Sequence, residues 1–184
     1  MADLLICSLV DDPLQPGLPA PLAGGSGGCL PLDTQVYLAD GSTIPIGEID
    51  LGDEVLACAF GSLEIVSRSV VGLLFHEAEA LCEFEEGDGT TLRCSLDQSL
   101  GTAFGPVKAP YLSADAELLT LSPNRDRVSS EKVGRRSTRE LAKPTDVASL
   151  DLGGEFFFFV GPSRRAGACH ISITWESGGR KRKM

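Results

Sequence analysis

Six cysteines and two histidines are the side chains of this 184-residue chain suited to nucleophilic or metal chemistry. Thiolate is the reactive form of cysteine, and an unperturbed thiol, with a pKa of about 8.5, keeps a few per cent of it near neutrality. The cysteines are Cys7, Cys29, Cys58, Cys82, Cys94 and Cys169, and the histidines are His76 and His170. No Cys-x-x-Cys pair exists and the histidines stand far apart, so a zinc site has no local signature; neither a metal nor a cofactor is expected. An even cysteine count is compatible with disulfides, but the chain has enough apolar residues to build a core without them. A cysteine hydrolase acting on other chains would have only Cys29 and two unplaced histidines to draw on.

A chain of this length supports one core of ordinary size, with tails. Its formal net charge of −10 repels nucleic acid and anionic lipid, so neither a nucleic-acid nor a membrane partner is expected. Apolar runs are far shorter than the ~20 residues that cross a bilayer, and the first residues carry acids where a signal peptide needs bases. A soluble, intracellular, cytoplasmic monomer is the expectation. The basic end Arg180-Lys181-Arg182-Lys183 reads as a solvated tail.

The elements that must position any site are short. Residues 1–28 are rich in Pro, Gly and small side chains and read as a flexible leader. From Cys29 onward, brief apolar runs alternate with turn signals such as Asp40-Gly41 and Gly52-Asp53, a texture of strands rather than helices. Further strands are expected at 67–75, 81–85, 90–95, 118–121, 147–152 and 156–160, too short to stand alone and therefore paired in a compact, curled sheet. Residues 122–144, charged and without apolar period, are expected to form a mobile surface loop, with a helical turn near Ser137-Thr138-Arg139-Glu140. Gly41-Ser42-Thr43-Ile44-Pro45 leading to Asp53-Glu54-Val55-Leu56 is echoed by Gly105-Pro106-Val107-Lys108-Ala109-Pro110 leading to Ala116-Glu117-Leu118-Leu119, which suggests an internal duplication.

The stretch Cys29-Leu30-Pro31-Leu32-Asp33-Thr34-Gln35-Val36-Tyr37-Leu38-Ala39-Asp40-Gly41-Ser42, with Ile44-Pro45-Ile46-Gly47-Glu48-Ile49 and Gly52-Asp53-Glu54-Val55-Leu56-Ala57 behind it, resembles the opening block of Hint domains, the modules of inteins and hedgehog C-terminal regions. The resemblance implies an all-β, pseudo-twofold, horseshoe-shaped fold over 29–172, with 1–28 as a leader and 173–184 as a tail. It also implies that Cys29 attacks the carbonyl of Gly28 and turns that peptide bond into a thioester. Cysteine suits this role by its nucleophilicity, and Gly28 by leaving the carbonyl unobstructed. Cys29 is equally a small apolar residue of the kind that opens a strand.

Thr90-Thr91-Leu92-Arg93-Cys94-Ser95-Leu96-Asp97-Gln98-Ser99-Leu100 resembles the second block of the family, where a Thr-x-x-His pair polarises the scissile amide and protonates its nitrogen. Ser95 and Gln98 stand at those two places. Serine can hydrogen-bond the amide, whereas glutamine cannot deliver a proton at neutral pH. Both are also ordinary turn residues. Val147-Ala148-Ser149-Leu150-Asp151-Leu152-Gly153-Gly154-Glu155-Phe156 and the phenylalanines that follow resemble the penultimate strand pair, where an aspartate and a histidine assist. Ser149 and Phe156 align there, Asp151 is near enough for a shift to restore the acid, and the phenylalanine run reads as core. Ala168-Cys169-His170-Ile171-Ser172 resembles the closing His-Asn-nucleophile of inteins, with Ile171 where asparagine would cyclise. His170 and Ser172 then match the penultimate histidine and second nucleophile.

The resemblance therefore implies an autocatalytic domain whose substrate is its own flanking polypeptide. Cys29 would form the thioester, and water or an external thiol, amine or alcohol would resolve it by N-terminal cleavage or acyl transfer, with full splicing impaired. The alternative is a decayed Hint domain that serves as a structural or interaction module.

Overall fold

Asp40-Gly41-Ser42 does reverse the chain: Gly41 takes a φ of +86° that a side chain would resist, and Ser42 donates from N and Oγ to Asp40 Oδ1 at 2.8 and 2.7 Å. Turns of this kind cut the sequence into short strands throughout. The computed structural model describes residues 28–85, 90–113, 115–161 and 165–168, the last four by their backbone.

The first half runs β1 (Leu30–Pro31), β2 (Gln35–Tyr37), β3 (Thr43–Pro45), a 3-10 helix (Ile46–Glu48), β4 (Glu54–Ala59), β5 (Ile65–Ser69) and the long β6 (Gly72–Glu85). The second half repeats the series: β7 (Thr91–Ser95), β8 (Ser99–Thr102), β9 (Gly105–Lys108), a 3-10 helix (Ala109–Tyr111), β10 (Glu117–Leu121), β11 (Val128–Lys132) and the long β12 (Arg136–Asp151). Hairpin β2–β3 corresponds to β8–β9, and β4–β5 to β10–β11. Even the 3-10 helices match, each entered from an extended residue, Pro45 or Lys108, with ψ of 139° and 138°. Two closing strands complete the symmetry. β13 (Phe156–Gly161) pairs with β2 and β4, β14 (Arg165–Ala168) pairs with β8 and β10, and the two pair with each other. The faint echo in the sequence thus marks a structural duplication, and the fold is all-β and pseudo-twofold, as expected.

The phenylalanine run occupies the centre of this arrangement. Phe156 and Phe158 enter the main core with Leu30, Val55 and Leu150, while Phe157 and Phe159 enter a second core with Leu119 and Leu121 on the other face of β13. A strand covered on both faces has no polar side to show, which is why its sequence is an unbroken apolar run rather than an alternation.

β12 and β6 form a long antiparallel ladder flanked by β1 on one side and β7 on the other. This four-stranded sheet curls until its two edges meet, where Ser95 N donates to Cys29 O at 2.8 Å. Cys29, Ala78, Leu81 and Val147 fill the inside of the curl.

Two expectations about local structure are corrected here. Residues 122–144 form strand for much of their length, and Ser137 to Glu140 lie in β12 rather than in a helical turn. Their backbones pair with β10 and with 80–84 of β6, which bury the apolar side, so the added strands present charge to solvent without needing an apolar period of their own. Arg136 Nη1 also donates to the carbonyls of Pro110 and Leu112 at 2.6 and 2.8 Å. The ladder shifts register between Glu140 and Thr145, where Pro144 has no N–H to contribute. Likewise 67–75 and 81–85, read as separate strands, divide instead between β5 and the continuous β6.

Candidate active site

The seam where β1 meets β7 gathers the second-block residues around the Gly28–Cys29 peptide. The amide N–H of Cys29 donates to Ser95 Oγ at 2.8 Å, and that hydroxyl donates to Asp97 Oδ1 at 2.6 Å. Ser95 is the last residue of β7 and opens a tight turn, in which Gln98 N donates to Ser95 O at 3.1 Å. Because Ser95 is 3% exposed, its bond to the amide is sheltered from competing water.

Gly28 lies against that same turn with no room for a side chain. A Cβ there would stand 2.0 Å from Gln98 Cα and 2.7 Å from Asp97 O. Glycine is thus required by close backbone approach, a stronger reason than conformational freedom alone.

Cys29 is fully buried. Burial, with the Asp97 carboxylate adding to it, pushes the thiol up to about 12, which leaves about one thiol in 10⁵ ionised at pH 7. Its Sγ lies 3.3 Å from Nδ1 of His76 on β6. Cys58, Cys82 and Cys94 are also buried, and their thiols are likewise pushed up by burial.

The remaining candidates are placed differently. Gln98 is 1% exposed and donates from Nε2 to Ser99 O at 2.6 Å, so its side chain serves the start of β8 while its backbone walls Gly28. Asp151 ends β12 opposite Gly72 and accepts from Gly153 N at 2.8 Å, capping a turn. It stands four residues beyond Val147, about 13 Å along the strand, and is not brought to Cys29. Ser149, on the same strand, is buried, with no hydrogen-bond partner for its Oγ among the described residues. Phe156 belongs to the main core. His170, Ile171 and Ser172 lie outside the described residues. Ala168, the last described residue, follows Gly167, whose partner Leu100 is two residues from Gln98.

Sequence reasoning assigned no role to Asp97 or to His76. Ser95-Leu96-Asp97 has the i, i+2 spacing of a side-chain-bonded turn, a signal that could have flagged the aspartate. His76 offers no such local cue, since it reaches Cys29 only through the curl of the sheet. No group of three or more His, Cys, Asp or Glu side chains that could hold a metal occurs among the described residues. A cavity of about 250 Å³ lined by Glu83, Glu85, Thr91, Arg135 and Ser137 contains none of the Cys29 site. No helix among the described residues is long and apolar enough to cross a membrane.

Neither a protein-family model nor a curated protein sequence matches the chain. Solved structures do. The bacterial intein-like domain from Clostridium thermocellum superposes with a TM-score of 0.66 at 21% identity, covering 76% of this chain and 97% of that one. The Ssp DnaB mini-intein variant M86 gives a TM-score of 0.70 at 14% identity, covering 81% and 98%. A DnaB intein from Synechocystis sp. PCC 6803 gives 0.68 at 16% identity, covering 78% and 99%. Together with the duplicated strand series, these matches along nearly the whole length of each intein establish that the chain has the Hint fold of the inteins and intein-like domains.

Proposed function

We propose that the chain is an autoprocessing domain that acts on its own backbone. Cys29 attacks the carbonyl of Gly28, the peptide becomes a thioester, and water or an external thiol, amine or alcohol releases or transfers residues 1–28. The domain is assigned to 29–172, with 173–184 as a tail. Full splicing is impaired because Ile171 stands where an asparagine would be needed to cut the chain by cyclisation.

The observation that carries this reading is the engagement of the scissile amide. Its N–H is bound by Ser95 Oγ, with Asp97 accepting behind it, while Gly28 is pressed against the turn that holds both. The amide N–H donating to Ser95 Oγ, together with the backbone clamp on Gly28, fixes the orientation of the scissile peptide beside the Cys29 thiol. Inteins and an intein-like domain share the fold, which supports the flanking polypeptide as substrate.

A second reading, a decayed Hint module with a structural or interaction role, is favoured by Gln98 in place of the proton-sharing histidine and by the fully buried thiol. Intact mass before and after hydroxylamine, with Cys29→Ala alongside, separates the two. Nucleophile-dependent release from the native chain alone supports autoprocessing. No release, with the fold intact, supports the decayed module.

A further inference from the structure

His76 belongs to none of the sequence blocks that resemble the Hint family, yet its Nδ1 lies 3.3 Å from Cys29 Sγ. Forty-seven residues separate the two in sequence, and the sheet brings them together. On β12, Val147 is the partner both of Pro31 on β1 and of His76 on β6, so the imidazole looks into the inner side of the curl that Cys29 and Val147 share. The ring is half-buried, whereas the thiol is fully buried. Bulk water therefore has no direct route to the thiol proton, and Gln98 has no titratable group to take it.

We infer that His76 is the catalytic base of the Gly28–Cys29 acyl shift, accepting the thiol proton at Nδ1 and returning it to the departing Cys29 nitrogen. The inference rests on the autoprocessing reading and fills the place that the missing second-block histidine leaves empty. As the Sγ–C bond to the Gly28 carbonyl forms, the S–H proton passes to Nδ1. As the C–N bond of the tetrahedral intermediate breaks, that proton goes to the nitrogen, which becomes the free amine of Cys29. One S–H is exchanged for one N–H, one C–N bond for one C–S bond, and no oxidant or co-reactant is consumed. The neutral ring must carry its own proton on Nε2 so that Nδ1 can accept. Ser95 Oγ holds the nitrogen in place meanwhile. A thiol raised to about 12 is rarely ionised in advance, so transfer to an adjacent base as the attack proceeds is the accessible path.

Among the described residues, the titratable and charged groups that face the imidazole from the elements packed against it are few. Cys29 touches it and Asp97 lies behind Ser95, while Glu77 and Asp146, adjacent in sequence to His76 and Val147, point to the opposite face of their strands. A pH dependence of release that is lost in His76→Asn would therefore be carried by His76.

The test uses the full chain with hydroxylamine as nucleophile, following release of residues 1–28 by intact mass. His76→Asn, which keeps a polar group near Nδ1, and His76→Ala are compared with the native chain, and His76→Gln replaces either one that fails to fold. Loss of a general base is expected to slow release by about 10²-fold or more. Dividing the native rate by the His76→Asn rate at each pH cancels the titration of hydroxylamine, and the ratio should climb with pH and level off. Free imidazole should restore part of the rate to His76→Ala and none to Cys29→Ala. Release from the His76 variants at the native rate overturns the inference and leaves autoprocessing standing, and a slow His76→Asn with a flat ratio and no imidazole rescue also overturns it. Absence of release from the native chain overturns both.

Discussion

Cys29 and Ser95 are tied to each other twice, Cys29 N to Ser95 Oγ and Ser95 N to Cys29 O, each at 2.8 Å. The second bond is a backbone contact that any residue but proline at 95 would keep. The first depends on the hydroxyl. Ser95→Ala leaves a buried amide N–H without its acceptor, at a cost of about 1–3 kcal/mol, and removes the group that engages the scissile nitrogen. The expected outcome is a lowered denaturant midpoint together with slower hydroxylamine release, whereas Ser95→Thr retains both.

Gly28→Ala should separate processing from folding. An added Cβ would overlap Gln98 Cα, so Gly28 must swing away from the turn and the amide must leave Ser95. Release should fall by at least about tenfold, because small misplacements of reacting groups cost that much or more. The main core lies elsewhere, so the melting transition should survive, as circular dichroism would show.

Raised thiols make a statement about alkaline stability. Cys29 and Cys58 are pushed from the ordinary thiol range to about 12 by burial, and Cys82 and Cys94 are also raised. Above the unfolded pKa of about 8.5 the unfolded chain loses these protons while the folded chain keeps them, so stability falls as pH rises through this window. Below it the contribution is fully present. Melting temperature measured from pH 7.5 to 10.5 should decline, and Cys58→Ala should flatten part of the slope while lowering the starting value through the cavity it leaves.

Gln98→His restores a proton-sharing group at the wall of Gly28. It should speed release in the native background, and by a larger factor in His76→Asn, where no other imidazole among the described residues adjoins Cys29. Equal factors in both backgrounds would mean that the two positions act independently.

Much of this architecture was legible because local rules and global fold agree. Asp-Gly turns, the apolar run at 156–159 and the echoed strand–turn–strand units all announce themselves, since turn chemistry and burial on two faces leave a mark on composition. Strands β11 and the first part of β12 were not legible. Their partners supply the burial, so Arg136 and Glu140 carry no apolar period, and the segment reads as loop. Ser95 beside the Cys29 amide follows from a block resemblance, and the Ser95-Leu96-Asp97 spacing is a local cue to Asp97, whereas His76 required the closed curl. A side chain reached through the edge-to-edge closure of a sheet leaves no spacing rule in the sequence.

The central claim is that the Gly28–Cys29 peptide exchanges with a thioester. Hydroxylamine captures a thioester as a hydroxamic acid, and the single asparagine of the chain, Asn124, is followed by Arg125, so there is no Asn-Gly bond for the reagent to cut instead. Intact-mass and fragment analysis after incubation at pH 7 should show residues 1–28 released with a hydroxamate on Gly28 and a new amino terminus at Cys29, and neither product from Cys29→Ala. A folded native chain that yields no Gly28 hydroxamate, even in the Gln98→His background, would contradict the account.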